Sequence, residues 1–136
     1  MWKKPSTEEL KREFHVEVVL KGATFFASEQ QFLLAAKNGE VLEVTPEMDK
    51  KIAYRSRTKS QDQLLSLIRG YRSYPEFRNE STIQNLYDRI GAGMEMNMAL
   101  VVRFANGDLR VLAGNTRMDV AFQLGINPKV LVLDVE

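Results

Sequence analysis

The chain has 136 residues, of which 44% are hydrophobic, 19 are basic and 18 are acidic, so its formal net charge is +1. A chain of this length can bury a hydrophobic core unaided, and the composition predicts a single domain over residues 1–136. The near-zero charge does not indicate a dedicated nucleic-acid or membrane binder. The lack of cysteine excludes disulfides, zinc-thiolate sites and iron–sulfur clusters, and with one histidine we predict no metal-binding cluster.

The sequence has no pattern typical of membrane insertion or secretion. No apolar run approaches the length of a membrane span, and residues 1–5 are not followed by the core of a signal peptide. We therefore expect a cytoplasmic protein with no membrane partner.

Residues 1–44 predict a scaffold of short strands and helices. Ser6–Glu9 and Ser28–Gln31 each have the pattern of a capping box, which starts a helix. The first helix is expected to run to about Phe14, and the second to end with Gly39 as its C′ residue. Three stretches predict strands: His15–Leu20, Ala23–Phe26 and Glu40–Val44.

Residues 45–93 are predicted to be helical and basic. Thr45-Pro46 starts a helix with proline at its first position, and two longer amphipathic helices follow. Basic side chains interleaved with aromatic ones can bind phosphates and stack on bases. The same composition is also common on solvated helix surfaces, where arginine and lysine stems cover apolar atoms. The residues concerned are Arg55, Arg57, Lys59, Arg69, Arg72 and Arg78, with Tyr54, Tyr71, Tyr74 and Phe77.

Residues 94–136 contain the pattern with the clearest implication for function. Two apolar runs, Ala99–Phe104 and Leu109–Ala113, flank Asn106-Gly107, which favours a type I′ turn with both φ angles positive. They are therefore predicted to pair as an antiparallel hairpin. Gly114 then allows a sharp turn into a helix, and a last strand follows. The order of elements predicts an α/β (α+β) domain with a small mixed sheet flanked by helices.

The start of the helix after Gly114 is a candidate anion site. Backbone N–H groups at a helix N-terminus bind phosphates readily, and Arg117 in the first turn could add a bidentate charge. The helix dipole disfavours a cation there by about 0.3–1 kcal/mol unless an anion neutralises it. We therefore predict that Gly114, Asn115, Thr116 and Arg117 bind a phosphate-bearing ligand. The alternative is a strand-to-helix corner capped by a polar side chain, Asn115 or Thr116.

The sequence Gly114–Ala121, preceded by a hairpin and followed by Leu124-Gly125-Ile126 and a last strand, resembles the ParB/sulfiredoxin-like superfamily. The pattern of that family is Gly-x-x-Arg-x-x-Ala-Ala, and this stretch holds nucleotide phosphates in ParB-type proteins and ATP phosphates in sulfiredoxins. The resemblance covers residues 81–136 well and residues 55–80 loosely. It implies a ParB-like fold with Gly114–Arg117 as the phosphate loop, and a nucleoside triphosphate (ATP or CTP) with Mg²⁺ as candidate cofactors.

The chain departs from this family in informative ways. It lacks the reactive cysteine of sulfiredoxins, which excludes reduction of cysteine sulfinic acid. Thr116 stands where the ParB loop usually has a second arginine, which changes how phosphates would be held. Arg55 and Arg57 are the candidate counterparts of the arginine loop of ParB-like domains. The resemblance also implies a stand-alone domain of phage or mobile-element type, without the DNA-binding and dimerisation regions of ParB.

Asp119 is the candidate catalytic residue. It could position Mg²⁺ or act as a base on a hydroxyl, or it could simply be an acidic residue near the start of a helix. We therefore predict binding of a nucleotide or phosphate ligand, with hydrolysis or phosphate transfer left open. The alternatives are a non-enzymatic module that binds nucleic acid or a protein through residues 45–93, and, more weakly, a nuclease. Fold alone does not decide among them.

Overall fold

A five-stranded mixed sheet organises the computed structural model, which describes residues 1–20, 22–53, 57–69 and 80–135. The strands in this part of the chain are β1 Trp2–Lys3, β2 Glu40–Glu43, β3 Ile52–Ala53, β4 Met96–Asn97, β5 Ala99–Arg103, β6 Leu109–Ala113 and β7 Lys129–Asp134. The helices are α1 Thr7–Phe14, α2 Glu29–Lys37, α3 Pro46–Asp49, α4 Gln61–Arg69, α5 Glu80–Gly91 and α6 Asn115–Gln123, and a π-helical segment, His15–Leu20, follows α1.

The sheet has the order β2-β7-β5-β6-β3 and contains both parallel and antiparallel pairs. β5 pairs antiparallel with β6 and parallel with β7, while β2 runs antiparallel to β7 and β3 parallel to β6. β1 and β4 form a separate parallel pair. The α+β class and the mixed sheet with flanking helices are thus confirmed.

The central strand β5 is buried on both faces because helices cover both sides of the sheet. Leu100 and Val102 pack in one cluster with Phe32 of α2. Ala99 and Val101 belong to the cluster on the other face, which includes Met118 of α6. α4 and α5 extend this second layer, where Leu64, Ile83 and Ile90 pack with Val120. α6 therefore lies between the sheet and the α4–α5 pair.

The capping signals correctly predicted where helices begin. The Ser6 hydroxyl accepts from Glu9 N–H at 3.2 Å, and the Glu9 carboxylate accepts from Ser6 N–H at 3.0 Å, which completes the box at the start of α1. Ser28 caps α2 in the same way, but the Gln31 side chain accepts from Ala27 N–H, one residue earlier than a capping box requires. Thr45 caps α3, with proline in its first turn.

The strands predicted at residues 15–20 and 23–26 are wrong. His15–Leu20 continues α1 as a π-helical segment, and the backbone at His15 is still helical, with φ −58° and ψ −48°. Residues 23–26 form no strand, although Phe26 is buried against Phe32 with ring centroids 5.5 Å apart. The alternation of Val16 and Val18 therefore does not produce a strand, and Glu17 is buried on the helical path.

Gly39 is the C′ residue of α2, as predicted, because the helix ends at Lys37 with Asn38 as its C-cap, but its φ is not positive. A Cβ at this position would lie 2.8 Å from Leu131 Cδ1 and 2.9 Å from the Val132 carbonyl oxygen. Glycine is therefore required by the close approach of β7 rather than by a left-handed turn.

The hairpin of β5 and β6 is confirmed, but the type I′ turn is wrong. Asn106 does not have a positive φ, whereas Gly107 has a φ of 90°. Gly107 N–H donates to the Phe104 carbonyl at 2.8 Å, and Phe104 N–H donates to the Asp108 carbonyl at 2.9 Å. The connection is therefore the longer loop in which glycine forms a bulge after the turn.

None of the helices in the described part of the chain has the length and apolar character needed to span a bilayer.

Candidate functional site

The N-cap of α6 is Gly114, which no other residue could replace without backbone strain. Gly114 is the N-cap, with φ 91° and ψ 19°, and it supplies no side-chain cap to the helix. A Cβ there would lie 2.7 Å from Ala99 Cβ and 2.6 Å from Arg117 Nη2. The N-cap is thus Gly114, and the predicted alternative of an Asn115 or Thr116 cap is wrong.

The arginine in the first turn of α6 is buried rather than open to solvent. Arg117 is only 4% exposed. Its Nη1 donates to the Asn97 carbonyl at 3.3 Å, and its Nη2 lies 3.6 Å from Glu13 Oε1. The buried Nε has no hydrogen-bond partner among the described residues. Burial lowers the pKa of Arg117, and nearby carboxylates, Glu13 first among them, oppose that shift.

Three glutamates spaced four residues apart face Arg117 from α1 and the π-helical segment. Glu9, Glu13 and Glu17 all act electrostatically on the guanidinium, and residues at this spacing share one face of a helix. Glu17 is 8% exposed. The anion expected to neutralise Arg117 is therefore present within the chain itself.

Glu9 is held in place by two hydrogen bonds. It accepts hydrogen bonds from the Asn97 side-chain amide and from Ser6 N–H, and these two interactions lower its pKa from 4.5 to about 2. Asn97 thereby connects α1 to Arg117, because its backbone carbonyl accepts from the guanidinium. Glu9 and Glu13 lie in the predicted first helix, but the position of Glu17 on the same face could not be predicted because residues 15–20 were expected to form a strand.

Asp119, the candidate catalytic residue, is fully buried in a different cluster. Its carboxylate accepts from Arg57 Nη1 through one oxygen, and from Thr58 Oγ1 at 2.9 Å and Thr58 N–H at 3.3 Å through the other. Arg57 Nη2 lies 2.9 Å from Asp49 Oδ1, and its guanidinium lies 5.3 Å from the centre of the Phe122 ring. Burial raises the pKa of Asp119, while Arg57 and Thr58 oppose this shift.

The same cluster continues across α6 to α5. The Gln123 side chain donates to the Thr58 hydroxyl at 3.3 Å, and Tyr87 donates its hydroxyl hydrogen to the Gln123 carbonyl oxygen. Burial raises the pKa of Tyr87. These contacts fasten residues 57–58 and α5 to α6. Because both Asp119 oxygens are engaged inside the protein, the carboxylate does not fit as a magnesium ligand open to a phosphate.

The predicted site residues thus fall into two groups. Gly114–Arg117 are contiguous at the start of α6, whereas Arg57 and Asp119 bind each other; each of these ligand or catalytic roles stays a prediction. Arg117 contacts α1 and Asp119 contacts residues 57–58, as expected for positions two apart on a helix. Arg55 lies outside the described residues, as do most of the basic and aromatic residues predicted to bind nucleic acid.

Comparison of the chain with family models, with curated proteins and with solved structures found no match. The resemblance to the ParB/sulfiredoxin-like superfamily therefore rests on the residues quoted for it and on the order of the elements around them.

Proposed function

We propose that the chain binds a small phosphate-bearing ligand, most simply a nucleotide, at the N-terminus of α6. The observation that carries the proposal is the buried Arg117 Nε, which lacks a partner among the described residues beside an N-cap that has no capping side chain. An oxyanion placed there would accept from a charged donor and would lie in the favourable end of the helix dipole.

The start of α6 is partly open to solvent, and an anion there would compete with the carboxylates that act on Arg117. Gly114, Asn115 and Thr116 are half-buried, so this corner can be reached while remaining partly shielded from water. Charge-assisted hydrogen bonds are stronger in such a setting than on an open surface. ATP and CTP, each with and without Mg²⁺, are the ligands to test first, because the same stretch resembles a nucleotide phosphate loop.

The proposal is limited to binding, because the one carboxylate singled out for catalysis is occupied. Asp119 is fully buried and hydrogen-bonded to Arg57 and Thr58. Hydrolysis or phosphate transfer would need a group that reaches the ligand, and no described contact brings Asp119 there. Binding of nucleic acid through residues 45–93 remains the alternative prediction.

The test is a pair of substitutions at Thr116, the second residue of α6. A glutamate in the first turn interacts favourably with the helix dipole, by about 0.3–1 kcal/mol, so Thr116→Glu should fold at least as well as the parent. Its carboxylate would repel an anion at the same place. Thr116→Gln is the matched control, because it has the same size without the charge.

Binding of ATP, CTP and inorganic tripolyphosphate is measured by calorimetry and by thermal shift. A ligand at a hundred times its Kd stabilises the protein by about 2.7 kcal/mol, which a melting curve resolves readily. We expect the parent and Thr116→Gln to bind, and Thr116→Glu to bind at least about tenfold more weakly. Equal binding by the two variants, or no binding by the parent, would contradict the proposal.

A further inference from the structure

In the ligand-free protein Arg117 is held by a carboxylate of its own chain. We infer that Glu13 is an internal competitor for the anion site: its carboxylate pairs with Arg117 when the site is empty and must release Arg117 when a phosphate binds. The inference rests on the proposed function, because it assigns a regulation to that same site.

The geometry places Glu13 and the N-cap of α6 at the same end of the guanidinium. Arg117 Nη2 lies 3.6 Å from Glu13 Oε1. The same Nη2 atom lies only 2.6 Å from the point where a Gly114 Cβ would be. A phosphate at the N-cap and the Glu13 carboxylate would therefore both compete for the same nitrogen, Arg117 Nη2. Two anions so close repel each other, and binding of one disfavours the other.

The ion pair is also loose enough to exchange. Its separation of 3.6 Å exceeds the 2.7–2.9 Å that is usual for a charged hydrogen bond between nitrogen and a carboxylate oxygen. The Glu13 side chain is 27% exposed, whereas that of Arg117 is 5% exposed. The carboxylate can therefore turn into water while the arginine remains in place.

The Glu13 carboxylate can move into water more readily than the other two glutamates that face Arg117. Glu9 is fixed by Ser6 and Asn97, and Glu17 is buried. Movement of the Glu13 side chain does not require α1 to leave the core. Leu10 stays buried, and the Phe14 ring stays 5.5 Å from that of Phe32. The exchange is therefore a side-chain movement within a fixed fold.

The test compares Glu13→Gln with Glu8→Gln. Glu8 is exposed on the same helix, so the control removes the same charge without touching Arg117. The Kd of inorganic tripolyphosphate and of ATP is measured by calorimetry at constant ionic strength. We expect Glu13→Gln to lower the Kd by about three- to tenfold, and Glu8→Gln to leave it within about twofold of the parent.

Each outcome of this comparison either supports or overturns the inference. If Glu13→Gln binds no more tightly than Glu8→Gln, or binds more weakly than the parent, the inference is overturned while the proposed function stands. If no chain binds tripolyphosphate or ATP, the proposed function fails and the inference fails with it. Should Glu13→Gln not fold, Glu13→Asp replaces it, because the shorter stem draws the charge away from Arg117; tighter binding supports the inference and unchanged binding overturns it.

Discussion

Replacing Arg117 with methionine separates an arginine that stabilises the fold from one that is kept only for a ligand. Methionine retains an unbranched stem that can fill the same space, so Arg117→Met removes the guanidinium with little change in packing. In the parent, that guanidinium pairs with Glu13 and donates to the Asn97 carbonyl. After the substitution, the carbonyl and the carboxylate both lose a donor.

The expected loss of unfolding free energy depends on how deeply the Arg117 and Glu13 side chains are buried. Removing one partner of a fully buried pair costs about 3–5 kcal/mol, whereas an exposed pair contributes about 0–1 kcal/mol. Arg117 is nearly inaccessible but Glu13 is 27% exposed, so the loss should lie between these limits, at about 2 kcal/mol. Removing a cation from a helix N-terminus returns about 0.3–1 kcal/mol. The expected net loss of unfolding free energy is about 1–2 kcal/mol.

Urea denaturation of Arg117→Met, Glu13→Gln and the double variant measures this directly. The double-mutant cycle should give a coupling energy of about 1 kcal/mol between the two residues. The melting temperature of Arg117→Met should fall by roughly 5 °C for a domain of this size. If Arg117→Met is as stable as the parent or more stable, the ion pair does not stabilise the fold, and the loss expected from its partial burial is refuted.

Four further predictions test other features. Asp119→Asn should lower the unfolding free energy by about 2–4 kcal/mol in urea denaturation, because the half-buried Arg57 loses a fully buried charged partner. Lost phosphate release at unchanged stability would instead indicate catalysis. Because its pKa is lowered, Glu9 contributes stability above pH 4.5 that is lost as the pH falls toward 2. Glu9→Gln should therefore be about 1 kcal/mol less stable than the parent at pH 7, and this difference should shrink by pH 3. A difference in stability that is the same at both pH values would contradict the lowered pKa. Gly39→Ala should lower the unfolding free energy by about 1–3 kcal/mol, because the new Cβ overlaps with β7. Gly22→Ala should cost only roughly 1 kcal/mol, because Gly22 has a φ of 75° but open space around it, and equal thermal shifts for the two variants would exclude the overlap. If residues 45–93 bind oligonucleotides, the log–log salt slope should be about 0.9 per neutralised phosphate, whereas a salt-independent Kd would argue against that mode.

Helix starts could be predicted because their signals are local. Ser6 with Glu9, and Thr45 with Pro46, act within one turn of the chain, so the sequence contains the whole interaction. The hairpin was predictable for the same reason, since its two strands are joined by a short loop. Only the detail of its turn, where Asn106 keeps a negative φ, differed from expectation.

The helical path of residues 15–20 could not be predicted from their own pattern. Val16 and Val18 alternate as in a strand, but a helical path allows Glu17 to act on Arg117 near the other end of the sequence. The contacts made by the candidate site residues could not be predicted either. Arg117 was identified at a helix start, but its partner Glu13 belongs to the first helix of the chain. Arg57 and Asp119 were both identified without any sign that they bind each other.

The position of β7 determines when the sheet can be completed during synthesis. β7 lies between β2 and β5, so residues 129–134 provide the shared partner of two strands that are made earlier. The hairpin of β5 and β6 and the helices can form locally, but the apolar edge of β5 stays uncovered until β7 has left the ribosome. Such an edge is prone to pair with another chain. We therefore expect the sheet to close only after residues 129–134 have emerged, and the nascent chain to be most prone to aggregate between the emergence of β5 and that of β7.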